Sequence, residues 1–386
     1  MAIFDFFSKQ QPLPTIPKDL GDNNSIESIF LRGIDLPTPK EQKDTEWVLF
    51  GPNNSFPKDL LDYKNASAIH DAIIEGKTSL IAGSGFLFDE TRELSDNFIV
   101  NNWKLVPFWR KLDRTFWMVS RDQQTFGYSA FEVIYSMDKT RIVDINWIDA
   151  SRIAVGKKNS LDQVESYWYS ANWSNLKQNP PRKIEAWNPN GEGLRQLMFI
   201  KYDDNNMDYY ALPNYFSALK WVKADGLMAD YNLSAIENGF SPSIVFKFYK
   251  KPTPEERRMN AEAIKKQHGG TKNAGKALIF YADGKELAPD VSTIDATNID
   301  QRLLQVADQI VQQIISGHRA QPELLGIPTP GRLGGSTDLL QAWNIFNTMV
   351  IKPERKLILD AFKEVLIFNG VNRVSVEELT PIQIVQ

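Results

Sequence analysis

NYFSALKWVKADGLMADYNLSAIENG (Asn214–Gly239) and IDQRLLQVADQIVQQIISGHRAQPELLGIPTPGRLGGST (Ile299–Thr337) decide how this chain is read. Pro213 resets the backbone. Phe216, Leu219, Val222, Leu227, Tyr231, Leu233 and Ile236 then recur at a spacing that predicts one buried stripe on a helix over Asn214–Asn238. Asn238-Gly239 supplies its C-terminal stop. A second helix is expected over Ile299–Ser316. Its apolar side carries Ile299, Leu303, Val306, Ala307, Ile310, Val311, Ile314 and Ile315. Its other side carries Gln301, Gln305, Asp308, Gln309, Gln312 and Gln313. Five glycines and three prolines make Gly317–Thr337 a loop. Asp338–Phe368 returns to helix, kinked or interrupted at Pro353.

Between the two helices lies a small charged insert. Ser243–Tyr249 reads as a strand, Thr253 as the N-cap of a helix over Glu255–Gln267, and Ala277–Tyr281 as a second strand. The order is β–α–β.

Upstream, Gln10–Thr45 is rich in Pro, Asp, Asn and Lys and reads as an extended arm, either a plain tail or one ordered by a neighbouring subunit. Trp47–Pro57 is a turn-rich entry. Helices are expected over Asn65–Ala82 and Trp103–Gln124. Strands follow at Phe131–Tyr135, Ile142–Ile148, Arg152–Val155, Tyr167–Tyr169, Ile184–Trp187 and Leu197–Tyr202, read as an antiparallel meander. The fold class is α+β, and the residues after Gly370 read as a short polar tail.

The 386 residues suffice for a large core, with 42% hydrophobic and 24% charged residues, an ordinary globular balance. A net charge of -4 argues against simple electrostatic coating of nucleic acid. With no cysteine, disulfides and thiolate metal sites are excluded, and three scattered histidines (His70, His268, His318) argue against a histidine zinc site. The start, MAIFDFFSKQQPLP, lacks the basic opening and apolar run of a signal peptide. No run of about 18 apolar residues predicts a membrane span.

One motif imitates an enzyme. Gly270-Thr-Lys-Asn-Ala-Gly275-Lys276 fits the spacing of a phosphate-cradling loop. The next residue is Ala277, so the hydroxyl that would hold Mg²⁺ is missing. The expected order is also helix–loop–strand, the reverse of the strand–loop–helix that aims backbone amides at phosphates. The loop therefore reads as a Gly/Asn turn. Asp203–Asp208 likewise fails the calcium-loop spacing. Lys250, Lys251, Arg257, Arg258 and Lys265 give the insert a basic side, which is either a footprint for DNA or an acidic partner, or a solvated helix face.

Several motifs, in this order, resemble the portal proteins of tailed bacteriophages: GYSAFEVIY (Gly127–Tyr135), INWIDASRIAV (Ile145–Val155), ENGFSPSIVFKF (Glu237–Phe248), GGTKNAGKALIF (Gly269–Phe280), AQPELLGIP (Ala320–Pro328) and IKPERKLILDAF (Ile351–Phe362). The resemblance spans Gly127–Phe362. Each motif is loose, and their order carries the specificity.

The resemblance implies an N-terminal arm (1–45), an α/β wing (46–212), a first stem helix (213–240), a clip (241–297), a second stem helix (298–316), a tunnel-loop region (317–337), a long wing helix (338–369) and a short tail or reduced crown (370–386). It implies a non-enzymatic ring, usually of twelve subunits, at one capsid vertex of the virion, assembled in the host cytoplasm. Double-stranded DNA passes through it during packaging and ejection. Its partners would be further copies of itself, the terminase large subunit, a head–tail adaptor and the major capsid protein, with no cofactor, metal or membrane. His318, Arg319, Gln321 and Arg332 would belong to the tunnel loop. Gln305, Gln309 and Gln312 would face the channel, or else hydrogen-bond between subunits. Lys250, Lys251, Arg257, Arg258 and Lys265 would meet a partner at the clip. The rivals are another neck or baseplate protein and a nucleotide-dependent enzyme using Lys276.

Overall fold

A computed structural model describes residues 38–88, 107–204, 207–237, 245–248, 253, 255–256, 258–259, 278–281, 296–321, 324, 336–371 and 373–379. All belong to one unit, Leu36–Gln386. The fold is mixed α and β, as expected. The described helices are α1 (Ser55–Ala66), α2 (Ala68–Ala82), α3 (Pro107–Phe126), α4 (Leu219–Glu237), α5 (Ala296–Gly317), α6 (Ser336–Phe346) and α7 (Lys352–Phe368).

The main sheet has seven strands: β1 (Trp47–Val48), β3 (Tyr128–Tyr135), β4 (Ile142–Trp147), β5 (Ile153–Gly156), β6 (Ser166–Tyr169), β7 (Arg182–Ala186) and β8 (Arg195–Lys201). Their order is β1-β5-β6-β7-β8-β3-β4. The expected strands are all there, but a simple meander is not. β7 runs parallel to β8 through only two residue pairs, Glu185 with Gln196 and Ala186 with Leu197. Two antiparallel ribbons thus meet at a short parallel seam. A turn at Asn188–Gly191 lets eight residues return the chain, where a full parallel crossover needs a dozen or more.

Helix α1 starts at the end of the expected turn-rich entry, Trp47–Pro57, and fills the stretch before the helix expected from Asn65. Pro57 sits in its first turn, where a missing N–H costs nothing. Ser67 then takes an extended conformation, ends α1, and accepts a hydrogen bond from the His70 N–H as the N-cap of α2.

The core forms where α3, the sheet and α7 meet. Leu112, Phe116 and Val119 line one face of α3. Phe362 of α7 is fully buried, with ring centroids 5.2 Å from Phe116 and 4.4 Å from Phe131. A helix from the end of the sequence therefore completes the core of the first half. The tail is not loose either. β11 (Val374–Val376) pairs antiparallel with β2 (Phe86–Phe88), and Gly83 at the end of α2 lies so close that an added Cβ would sit 2.1 Å from the Glu377 oxygen.

The predicted break at Pro353 takes the form of a π-helical segment, Asn347–Ile351, joining α6 to α7. Lys352 N–H donates to the Asn347 oxygen five residues back. This wider turn accommodates a proline that lacks an N–H and whose ring crowds the carbonyl four residues earlier.

The insert keeps its predicted β–α–β order. β9 (Val245–Phe248) and β10 (Leu278–Tyr281) pair parallel in register, with helical backbone at residues 255–256 and 258–259 between them.

Phe362→Ala is expected to lower the unfolding free energy by about 3–5 kcal/mol, the usual cost of deleting a buried phenyl ring. Urea unfolding of the purified variant measures it; a loss below about 1 kcal/mol would deny α7 its place in the core.

Candidate functional site at the base of the paired helices

Helices α4 and α5 lie against each other, and among the described residues each is buried toward one end. In α4, Leu219 and Val222 are buried, but Leu227, Tyr231 and Leu233 are 49%, 53% and 56% exposed. In α5, Ile310, Ile314 and Ile315 are buried, whereas Leu304 and Val306 are 68% and 42% exposed. The continuous stripes expected from sequence are thus buried near the base and exposed beyond it.

At 100° per residue, Gln305, Gln309, Gln312 and Ser316 fall within roughly 60° of one another, opposite Ile310 and Ile314. All four are exposed. Leu304 lies to one side of this amide face and Val306 to the other.

The base of α5 is closed by a Schellman turn. The Ala320 N–H donates to the Ile315 oxygen and the Arg319 N–H to the Ser316 oxygen. The left-handed residue is Arg319, at φ 52°. Glycine usually holds this position because a Cβ strains it. Gly317 is needed for a different reason. An added Cβ there would come 2.2 Å from the Ala218 Cβ, so α5 and the start of α4 touch almost backbone to backbone.

His318 does not line an opening within the protomer. It is 2% exposed, and its Nε2 lies 2.7 Å from Nδ1 of the fully buried His70 on α2. Tyr215 stacks on His318 at 4.7 Å and meets His70 edge-on at 4.5 Å. The tyrosine hydroxyl donates to the Thr125 oxygen at 2.6 Å. Burial drives both imidazoles toward the neutral form, His70 down to about 3 and His318 well below the usual value. Lys77, one helical face along from His70, is 2% exposed, and burial lowers its ammonium despite the opposing charge of Glu354.

Glu354 closes the other side of the base. It is buried and accepts from Gln124 at 3.0 Å, from Asn214 and from the Tyr202 hydroxyl. Its neighbour Arg355 donates to the Leu80 and Ile81 oxygens at 2.7 and 2.9 Å and to Glu378 at 2.8 Å. The base thus joins α2, α3, α5, α7, β8 and the C-terminal strand.

Among the residues expected to act, the structure groups Gln305, Gln309 and Gln312 on one face. It leaves Arg319 exposed, Gln321 half-buried and His318 enclosed. Arg258 is exposed on the insert's helical segment. Arg332, Lys250, Lys251, Arg257, Lys265 and the Gly270–Lys276 loop lie outside the described residues. Sequence reading missed His70, Lys77, Tyr215 and Glu354. The available signal was a polar residue at every second turn of an isoleucine stripe: His70, Ile73, Ile74, Lys77, Ile81. Among the described residues no group of three or more His, Cys, Asp or Glu could hold a metal ion, and no helix is long and apolar enough to cross a membrane.

Replacing Arg319 with glycine keeps the turn and removes the left-handed strain. Arg319→Gly is therefore expected to raise stability by up to about 1 kcal/mol in urea unfolding, and Arg319→Val to lower it. A less stable glycine variant would mean that the arginine side chain holds the turn through contacts of its own.

No protein-family model matches the chain, and no curated protein matches it. Solved structures do. The chain is similar to one in the neck of an empty gene transfer agent particle computed with C6 symmetry, at 13% identity and a TM-score of 0.55 over 86% of this chain and 85% of that one. It is similar to a chain in the neck of the native particle computed with C12 symmetry, at 14% identity and 0.51 over 84% and 86%. A chain in the virion of the native particle gives 12% identity and 0.50 over 86% and 85%. At these identities the likeness is one of fold, and it runs through nearly the whole chain.

Proposed function

We propose that this chain is a portal-type subunit of a tailed-phage-like particle. Copies join in a closed ring, twelve in number, at one capsid vertex. Double-stranded DNA enters and leaves through the hole, and the chain itself performs no catalysis. The ring docks the terminase large subunit during packaging and a head–tail adaptor afterwards, and it sits against the major capsid protein.

The surface of α5 carries this reading. This amide face, with the exposed carboxylate of Asp308 at its edge, offers hydrogen bonds to DNA without the strong, salt-dependent attraction that lysines and arginines have for phosphates. Such a face suits a surface past which DNA slides. Apolar Leu304 and Val306 flank it on opposite sides. Two different patches on opposite sides make a head-to-tail contact, the kind that generates rings when the rotation closes. The exposed Leu227 and Tyr231 of α4 add apolar area beyond the base. The fold likeness to chains of gene transfer agent necks and virion supports the same placement, and the C12 symmetry with which one of those necks was computed supports twelve copies here.

Two of those structures are whole necks, which favours a second reading, another ring of the neck. Particles made without the chain separate the two. A portal subunit leaves heads empty of DNA, whereas a later neck ring leaves filled heads that lack tails.

Leu304→Asp and Val306→Asp are each expected to abolish rings in electron micrographs. Mixed together, the two variants should form dimers and stop, because each retains one good flank. Rings from either variant alone would remove these flanks from the interface. Gln309→Arg, repeated around the ring, should leave assembly intact and slow packaging at low salt more than at high salt.

A further inference from the structure

We infer that His70 and His318 form an acid-sensitive latch that holds the last turn of α5 against α2. Two buried imidazoles share one hydrogen bond at 2.7 Å, and His70 Nε2 has no hydrogen-bond partner among the described residues. The arrangement needs one ring nitrogen to donate and the facing one to accept, so the two rings cannot both be protonated and keep it. His318 sits inside the Schellman turn itself, one residue before the left-handed Arg319. Release of the latch therefore undoes the turn and the last buried residues of α5.

The surrounding charges favour opening in acid. From α1, Lys64 faces His70 and disfavours its protonation, although Lys64 is itself paired with Asp71 and Glu75. Asp71 of α2 opposes that effect. Lys77 bears on His318, and Arg319 and Glu354 bear on Lys77 with opposite signs. Asp225 of α4 accepts from the Ser67 hydroxyl at 2.6 Å, beside the latch, and Tyr215 offers a neutral ring. No carboxylate makes a hydrogen bond to either imidazole among the described residues.

The sign follows from linkage. Both imidazoles titrate lower in the closed form than in the released form, where they would have an ordinary value near 6.5. The released form binds more protons, so the latch is intact above about pH 6.5 and weakens as pH falls below it. At pH 5.5 the opening equilibrium rises about tenfold per histidine, and on the order of 100-fold for the pair. Asp122 on α3 works the other way. Burial pushes its carboxyl up to about 7, so acid favours its folded environment. A global melt would mix the two effects; a local readout separates them.

Amide hydrogen exchange of the full chain, corrected for the intrinsic pH dependence of exchange, tests the latch. Ile314–Ala320 is expected to exchange about 100-fold faster at pH 5.5 than at pH 7.5, while residues 116–126 of α3 do not. In His70→Gln, which keeps a hydrogen-bonding side chain but cannot titrate, the acceleration should fall to about tenfold. If that variant does not fold, the imidazole nitrogen shifts of the wild type decide: neutral rings at pH 6 support the latch, and a charged ring overturns it. Uniform acceleration across α3 and α5, or an undiminished acceleration in His70→Gln, would equally overturn it.

Discussion

The architecture depends on two consecutive charged residues at the start of α7. Glu354 and Arg355 are both 6% exposed, and they reach in different directions. Glu354 gathers α3, β8 and the start of α4 through Gln124, Tyr202 and Asn214. Arg355 satisfies two carbonyls at the C-terminal end of α2, where a cation is favoured, and pairs with Glu378 of the tail. Buried charges this well hydrogen-bonded fix geometry more than they add stability, because desolvation offsets much of their attraction. What they fix is the junction from which α4 and α5 extend. The π-helical segment and Pro353 directly precede the pair and set the turn on which it sits.

Seen from that junction, the two long helices have distinct halves. Their inner halves belong to the protomer core. The amide face of α5 runs past both halves, and the outer parts expose Leu227, Tyr231, Leu233, Leu304 and Val306, apolar side chains that a lone chain would have little reason to keep in water. In the proposed function a ring would supply the missing contacts, and a DNA channel would give the amide face its use. The Schellman turn at Arg319 ends α5 where the chain turns into the glycine- and proline-rich segment, so the one exposed arginine of the described turn stands at the base of the amide face.

Much of this was legible in the sequence. The six later strands of the main sheet, the paired helices, the β–α–β insert and the break at Pro353 all followed from apolar spacing and from Gly and Pro placement. Long-range pairing was not. The parallel seam between β7 and β8 rests on two residue pairs, and the β2–β11 pair joins residues far apart in the chain; neither leaves a local signal. Helix α1 was hidden because Phe56, Pro57 and Leu60 carry its burial while Lys58, Asp59, Asp62, Lys64 and Asn65 interrupt the apolar spacing. The amide face of α5 was readable as a face. His318 was misplaced for a physical reason: a histidine beside a glycine-rich stretch of sequence reads as exposed, and only the fold shows that His70 and Tyr215 enclose it. Leu227, Tyr231, Leu304 and Val306 had the spacing of core residues, and only the fold shows that part of each stripe is exposed.

The most direct test is a reconstruction of the purified, assembled protein by electron cryomicroscopy, at a resolution that orients α5. The expected result is a closed ring in which Gln305, Gln309 and Gln312 line the hole, with Leu304 of one copy approaching Val306 of the next. A monomer, an open filament, or a ring whose hole is lined by α4 while the glutamines face outward would contradict it.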